Sequence, residues 1–234
     1  CARVCRSSCR SGQNLLGSEQ SGVEVKRLES LDALRGFDMF MIVGGKGAVL
    51  ALLVALGFGT DCWLGRQLVH VEWDHACFWD FIYPLFVFVS GVTYPFSRAR
   101  QIERGVTRTQ AYRAILKRVF WLIALGALVY GNVLTTGRFT PWSVLGRIGI
   151  CWGVAATLYV SCSLRARIAW FIGIPIAYWL LLRFVAAPGA PVGADSLADA
   201  TCLVSWLDQY LSPGFRHQYA LSVVPMISTG LLGM

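Results

Sequence analysis

Long uncharged blocks dominate the pattern of hydrophobic and polar positions along this chain. Residues 81–97, 119–137 and 148–164 contain no Asp, Glu, Lys or Arg. Each block approaches the roughly 20 residues that cross the hydrocarbon core of a bilayer as a helix. Because backbone polar groups find no partners in hydrocarbon, these blocks are predicted to be α-helices.

Three further blocks are interrupted or shorter. Residues 37–60 contain only Asp38 and Lys46 as charged residues, residues 168–182 contain none, and residues 219–234 are also uncharged. The pattern therefore predicts an all-α fold, a polytopic transmembrane helical bundle with five complete spans and a truncated sixth. The predicted spans are residues 34–58, 78–96, 119–134, 144–162 and 168–185, with the sixth beginning near residue 219.

Shorter segments carry local signals for helices. Ser30 is expected to cap the first helix, with Asp32 near its positive end. Residues 98–118 are predicted to form a basic amphipathic helix. Residues 205–211, with the sequence SWLDQYL, are predicted to form a short helix on the membrane surface, where Trp206 and Tyr210 lie at headgroup depth.

Composition and charge support the membrane interpretation. The chain is 56% hydrophobic and 15% charged, whereas about 25% charge is usual in soluble domains, so a soluble protein with buried helices is the less favoured alternative. Of the Lys and Arg residues, six lie in residues 1–36 and seven in residues 98–118, but only Arg66 lies in residues 61–77. This alternation is typical of positive cytoplasmic loops.

The charge alternation predicts an integral membrane protein with a cytoplasmic N-terminus. The loops at residues 61–77, 135–143 and 184–218 are then expected on the outer side. The net charge of +8 is explained by this topology and by contact with anionic lipid. The expected partner is therefore the lipid bilayer, and no nucleic acid is expected.

Eight cysteines are divided among three environments. Cys151 and Cys162 fall in predicted spans, where a thiol acts as a small apolar group. A disulfide is considered among the three cysteines at or near outer loops, Cys62, Cys77 and Cys202. The three cysteines of the leading segment, Cys1, Cys5 and Cys9, lack a zinc-site spacing, and no metal is expected. Residues 1–26 are predicted to be a disordered or spurious lead.

Four ionisable residues lie in or beside predicted spans: Asp38, Lys46, Asp80 and Arg147. Such residues cost several kcal/mol when they face lipid, so they are candidates for function. Asp38 and Arg147 have an alternative explanation, in which they extend to the membrane interface. Lys46 and Asp80 either pair with each other inside the bundle or line a polar cavity.

The densest polar segment beside a span is HVEWDH at residues 70–75. The imidazole of His70 can accept a proton from an amine or hydroxyl, or carry an acyl group itself. The carboxylates of Asp74 and Asp80 are candidates to orient that imidazole. His70 and Asp74 are spaced for a metal, but a third ligand at convincing spacing is missing. A solvated loop histidine is the simpler alternative.

Two segments carry a family resemblance. Residues 27–38, RLESLDALRGFD, and residues 70–97, HVEWDHACFWDFIYPLFVFVSGVTYPFS, resemble motifs of the heparan-α-glucosaminide N-acetyltransferase family and its bacterial relatives, the DUF5009 and DUF1624 groups. Weaker similarity follows at VLGRI (residues 144–148), WLDQYLSPG (residues 206–214) and the terminal LLGM. The chain departs from the family pattern at Asp74-His75 and at Gly146.

The resemblance implies that residues 27–234 are the N-terminal part of a transmembrane acyltransferase domain in a bacterial inner membrane. Such an enzyme moves acetyl from acetyl-CoA to an amine or hydroxyl of a sugar, such as a terminal glucosamine. It implies that His70 is the active histidine, with Asp80 at an acidic position of the family pattern, while Asp74 stays a catalytic candidate because its carboxylate is close to His70 in sequence. It also implies that acetyl-CoA is bound with the help of Asp32, Arg35 and Arg147. A homodimer is compatible with this expectation.

Two other function classes stay open at this point. A transporter or flippase would use Lys46 and Asp80 as an intramembrane charge relay, and the prolines inside the predicted spans would suit its broken helices. A receptor or scaffold would leave the charges within the spans unexplained.

Overall fold

The computed structural model describes residues 29–69, 76–130, 141–189, 202–211 and 220–234. Within these ranges the secondary structure consists of helices and turns, without any strand, which confirms the all-α prediction. The predicted lead at residues 1–26 lies outside these ranges.

The helices follow one another with short connections. A π-helical turn, Met41–Gly45, joins the first two into one continuous segment, Glu29–Ala55. A short 3₁₀ turn, Ala220–Ser222, precedes the last helix. The helices are α1 (Glu29–Phe40), α2 (Lys46–Ala55), α3 (Trp63–Gln67), α4 (Phe78–Glu103), α5 (Arg108–Tyr130), α6 (Val144–Ser161), α7 (Leu164–Phe184), α8 (Leu203–Leu211) and α9 (Val223–Gly233).

Three helical segments in the described part of the chain are long and apolar enough to cross a membrane. They are Glu29–Ala55, Val144–Ser161 and Leu164–Phe184, and a shorter apolar helix covers Ala220–Gly233. Helices α4 and α5 contain 26 and 23 residues, but charged residues make them less apolar. A membrane-spanning helical protein is therefore supported, whereas the predicted count of five spans and a sixth is not confirmed.

The prediction of one amphipathic helix over residues 98–118 is wrong. Helix α4 ends at Glu103, where Gly105 takes a positive φ of 74° that ordinary side chains disfavour. Helix α5 then begins with a reciprocal cap. The Thr107 N–H donates to the Gln110 side chain at 2.9 Å, and the Gln110 N–H donates to the Thr107 hydroxyl at 3.4 Å. The basic residues therefore belong to the ends of two long helices.

Two smaller predictions at helix ends are also corrected or refined. Ser30 is the second residue of α1 rather than its cap, although Asp32 does lie in the first turn. The acidic residues Glu29 and Asp32 lie in this first turn, where the positive end of the helix dipole favours negative charge. The helix predicted at residues 205–211 is confirmed within α8. Its position on a membrane surface stays a prediction.

Helices α4, α5, α6 and α9 pack against one another around two apolar clusters. One cluster contains Val87, Cys151 and Val223. The other contains Tyr94 and Trp152, whose rings meet edge to face at 5.5 Å between centroids. Helix α7 packs against α9 and has no buried residue, so its apolar surface is free to face lipid.

Glycines allow the helix backbones in this bundle to approach closely. A Cβ added at Gly91 of α4 would collide with the backbone oxygen of Gly230 on α9. At the α5–α6 contact, a Cβ at Gly149 would lie 3.0 Å from the Cβ of Leu122. Close contacts of small residues are typical of helix association in membranes, where apolar burial provides no driving force between helices.

We predict that Gly91→Ala lowers the free energy of unfolding by about 1–3 kcal/mol, because the new methyl meets backbone that cannot rotate away. The matched control is Gly173→Ala on α7, where an added Cβ meets nothing within 4 Å and the higher helix propensity of Ala is neutral or stabilising. The check is thermal unfolding in detergent. Equal stability of the two variants would contradict the proposed close contact between α4 and α9.

Candidate functional site

The beginning of α4 presents a carboxylate at a fixed position. Asp80 lies in the first turn, and its Oδ2 accepts the backbone N–H of Cys77 at 3.0 Å. The N–H of Phe78 donates to the Gln67 side chain at 3.1 Å, which ties α3 to α4. The described residues on both sides of residues 70–75 are therefore held near Asp80.

Two cations contact aromatic rings on the same face of α4. The Lys46 Nζ lies 4.6 Å from the ring centroid of Trp79, and the guanidinium of Arg147 lies 5.4 Å from that of Tyr83. Trp79 and Tyr83 are four residues apart, so their side chains are neighbours along one helix face. Asp80 lies between these two residues in the sequence of α4, and we call Lys46, Trp79, Asp80, Tyr83 and Arg147 the Asp80 cluster.

The ring beneath Arg147 is held by a buried hydrogen-bond chain. The hydroxyl of Tyr83 and the Sγ of Cys151 are 3.3 Å apart, and the Cys151 thiol donates to the carbonyl oxygen of Val223 at 3.4 Å. This chain links α4, α6 and the beginning of α9. Because the links cross three helices, the position of the Tyr83 ring depends on the packing of the bundle.

Arg147 keeps a donor without a partner in this arrangement. Its Nε is buried, and no acceptor for it is found within the described ranges. An unsatisfied buried donor costs about 1–3 kcal/mol, more for a charged group. With two cations and one carboxylate, the Asp80 cluster suits a ligand that presents oxygen acceptors.

The residues predicted for the site fall in three places. His70 and Asp74 lie outside the described residues. Asp80 and Arg147 both belong to the Asp80 cluster. Asp32 and Arg35 lie at the beginning of α1.

Arg35 is separated from the Asp80 cluster along the bundle. It is close enough to Arg118 for their positive charges to interact, and the Arg118 guanidinium lies 4.2 Å from the ring centroid of Trp152. Trp152 contacts Tyr94. Tyr94 lies about 16 Å beyond Tyr83 along the axis of α4, at 1.5 Å per residue. The residues predicted to bind the co-substrate therefore do not form a single cluster.

Asp38 does not extend to the membrane interface. Its side chain is 0% exposed, and neither carboxylate oxygen has a hydrogen-bond partner in the part of the chain that the structure describes. It lies on the buried face of α1, three residues before the buried Met41. The interpretation of Asp38 as an interfacial residue is therefore wrong. Arg147, half-buried against Tyr83, is also held by the bundle.

The sequence did not single out Tyr83, Trp79 or Cys151 as site residues. Aromatic and thiol side chains within an apolar block give no signal of their own, and the only available signal was the four-residue spacing of Trp79 and Tyr83 on either side of Asp80. The disulfide considered among the outer cysteines does not form, because Cys62, Cys77 and Cys202 are free thiols.

Comparison with known proteins gives two similar relatives. Heparan-alpha-glucosaminide N-acetyltransferase of Mus musculus is 26% identical over 195 residues, which covers 71% of this chain and 28% of that protein. The Homo sapiens protein of the same name is 27% identical over 132 residues, covering 53% and 19% respectively. No protein-family model matches the chain.

These similarities establish a distant relationship to that acetyltransferase family. The chain spans less than a third of the length of either relative. At a coarse level, the relatives' names support a transferase, and together with the apolar helices they support an integral membrane protein.

We predict that Tyr83→Leu destabilises the protein clearly more than Tyr83→Phe does. The Phe variant keeps the ring beneath Arg147 and loses only the hydroxyl, a change of about 1 kcal/mol. The Leu variant also loses the cation–π contact, about 0.5–2 kcal/mol, and leaves space in the core. Thermal unfolding of both variants in detergent checks this order. Identical midpoints would mean that the ring does not hold Arg147.

Proposed function

We propose that the chain is the acetyl-transferring part of an integral membrane N-acetyltransferase. Acetyl-CoA is the donor, and an amine or hydroxyl of a sugar, such as a terminal glucosamine, is the acceptor. The observation that carries this proposal is the placement of two residues of the resembling segments at the beginning of α4: Asp80 lies in its first turn, and Arg147 lies over the ring of Tyr83, one turn further on. Both residues lie in segments with the family resemblance, and Asp80 follows His70 by ten positions along the chain.

Chain connectivity supports a role for His70 at this cluster. His70 directly follows Val69, and consecutive Cα atoms are 3.8 Å apart. The described helices on either side of it end at Gln67 and begin at Phe78, two residues that are hydrogen-bonded to each other. In the proposal, the imidazole takes the proton of the acceptor amine, or carries the acetyl group as an intermediate. Asp74 and Asp80 orient it and stabilise its charged form.

Acetyl transfer replaces one acyl bond by another. The amine nitrogen of the acceptor bonds to the acetyl carbonyl carbon, the carbon–sulfur bond of the thioester breaks, and the thiol leaves with a proton. The carbonyl oxygen becomes negative as the bond forms, and the unpartnered Nε of Arg147 is a donor suited to it. In this proposal Arg147 both helps to bind acetyl-CoA, as the resemblance implies, and stabilises the negative carbonyl oxygen.

The predicted co-substrate residues are compatible with a long ligand. Arg147 lies in the Asp80 cluster, whereas Asp32 and Arg35 lie on α1, with Arg35 toward the Arg118 side of the bundle. A flexible, elongated molecule such as acetyl-CoA has separate contact points for its acyl and nucleotide ends. We propose that Asp32 and Arg35 contact the end remote from the thioester.

The membrane orientation forms part of the proposal. The distribution of Lys and Arg along the sequence supports a cytoplasmic N-terminus, and a bacterial inner membrane is the proposed location. The segment with His70 then faces the outer side, from which a glycan acceptor arrives. Acetyl-CoA is supplied from the cytoplasm.

We expect His70→Ala to reduce acetyl transfer at least about 100-fold, the usual range for loss of a general acid–base group. The assay measures radiolabelled acetyl transfer from acetyl-CoA to glucosamine by the full-length protein in membranes. His75→Ala, a histidine of the same segment, is the matched control and should retain activity. Undiminished activity of His70→Ala would remove the assigned role.

A transporter or flippase is the second candidate, favoured by one observation. The Lys46 ammonium of α2 contacts the ring of Trp79, the residue before Asp80 on α4, so a cation from one helix lies beside the turn of α4 that carries a carboxylate. This candidate predicts uptake of glucosamine into proteoliposomes without acetyl-CoA, and loss of that uptake in Lys46→Met. We expect no uptake above empty liposomes. Uptake that depends on Lys46 would instead favour transport.

A further inference from the structure

A polar cavity of about 150 Å³ lies between α4, α5 and α6, away from the Asp80 cluster. Its lining includes Ser90, Tyr94, Gln101, Arg118 and Trp152, and we call it the Trp152 cavity. Tyr94 follows Tyr83 of the Asp80 cluster by about 16 Å along α4. The cavity is therefore separate from the Asp80 cluster, although Arg118 of its lining lies on the side of the bundle near Arg35.

Three buried polar groups of the lining have no hydrogen-bond partner within the described ranges. They are the Ser90 hydroxyl, the Tyr94 hydroxyl and the Trp152 Nε1, on residues that are 3%, 6% and 4% exposed. Each such group costs about 1–3 kcal/mol when it stays unsatisfied. Native proteins contain few such groups, so three around one small cavity require acceptors or donors that the described side chains do not supply.

The lining is rich in donors. Trp152 and Arg118 can only donate hydrogen bonds. The Gln101 Oε1 accepts from Arg98 at 3.4 Å, which leaves the amide N–H groups of Gln101 available. None of the described residues that line the cavity has a carboxylate. A ligand with several acceptor oxygens satisfies such a surface.

The charge around the cavity is positive. The Arg118 guanidinium lies 4.2 Å from the Trp152 ring centroid, and Arg35 is close enough to repel it. Arg98 is 8% exposed and reaches the lining through Gln101. An anion near these guanidinium groups offsets their repulsion, and planar guanidinium groups match the oxygen geometry of phosphate.

We infer that the Trp152 cavity binds a phosphate group. A volume of about 150 Å³ equals roughly five water molecules at about 30 Å³ each, which is enough for one phosphate group. The group belongs either to a soluble phosphate compound or to the headgroup of an anionic phospholipid, since both present the same oxygens. This inference does not depend on acetyl transfer.

The first arm of the test uses inorganic phosphate. Thermal unfolding of the full-length protein in neutral detergent is followed as phosphate replaces chloride at constant ionic strength, without acetyl-CoA. We expect phosphate to stabilise the parent protein saturably. In Trp152→Phe we expect the apparent Kd for phosphate to rise at least about 10-fold, which equals about 1.4 kcal/mol of binding free energy. That variant removes the N–H and keeps a ring beneath Arg118. Arg113→Gln, an exposed arginine of α5 outside the lining, is the control and should bind like the parent.

The second arm uses vesicles of phosphatidylcholine with or without phosphatidylglycerol. Stabilisation by phosphatidylglycerol that Trp152→Phe loses and Arg113→Gln keeps would identify a lipid headgroup, whereas saturable stabilisation by free phosphate without any effect of phosphatidylglycerol would identify a soluble ligand. Ser90→Ala provides a smaller change should Trp152→Phe fold poorly, and its binding should weaken in the same direction. Absence of stabilisation in both arms, or equal loss in Arg113→Gln, would overturn the inference. Neither outcome bears on the His70→Ala assay.

Discussion

Close approach of helix backbones at glycine is the constraint on which this bundle depends. Gly91 of α4 faces the backbone of Gly230 on α9, and Gly149 of α6 faces Leu122 of α5. Between apolar helices in lipid, packing contacts rather than burial from water select the neighbours. A side chain at Gly91 would separate α4 from α9, so the contact fixes both the distance between these helices and their register.

The register of α4 determines where polar groups can meet. With α4 fixed, Tyr83 faces Arg147 and Cys151, while Tyr94 faces Trp152 on the next part of the same helix pair. Each polar group is surrounded by apolar packing and has lost its water. Its partners must therefore come from facing helices or from a ligand, which is why both polar regions lie at contacts between α4 and α6.

Both regions contain buried polar groups without partners, as do a few other described residues such as Asp38. The Nε of Arg147 in the Asp80 cluster, and the Trp152 Nε1 with two hydroxyls in the Trp152 cavity, are buried without acceptors in the described part of the chain. Stability alone would favour apolar side chains at these positions. The distant relationship to acetyltransferases supports the chemistry proposed for the Asp80 cluster. The ligand proposed for the Trp152 cavity follows from the hydrogen-bond donors and positive charge around it.

The sequence by itself determined the all-α class, because uncharged blocks of helical length have few other structures available. It also singled out Asp80 and Arg147 as candidates, because charge in or beside an apolar block is costly and therefore conspicuous. It could not determine the turn at Gly105, which depends on one backbone conformation inside a basic stretch. Only the tertiary structure decided that Asp38 is buried, that Tyr83 supports Arg147, and that Arg35 lies apart from Arg147. The physical reason is that these contacts join residues that are distant along the chain. The register of the facing helices is set by glycine contacts between them, and no local sequence pattern records those contacts.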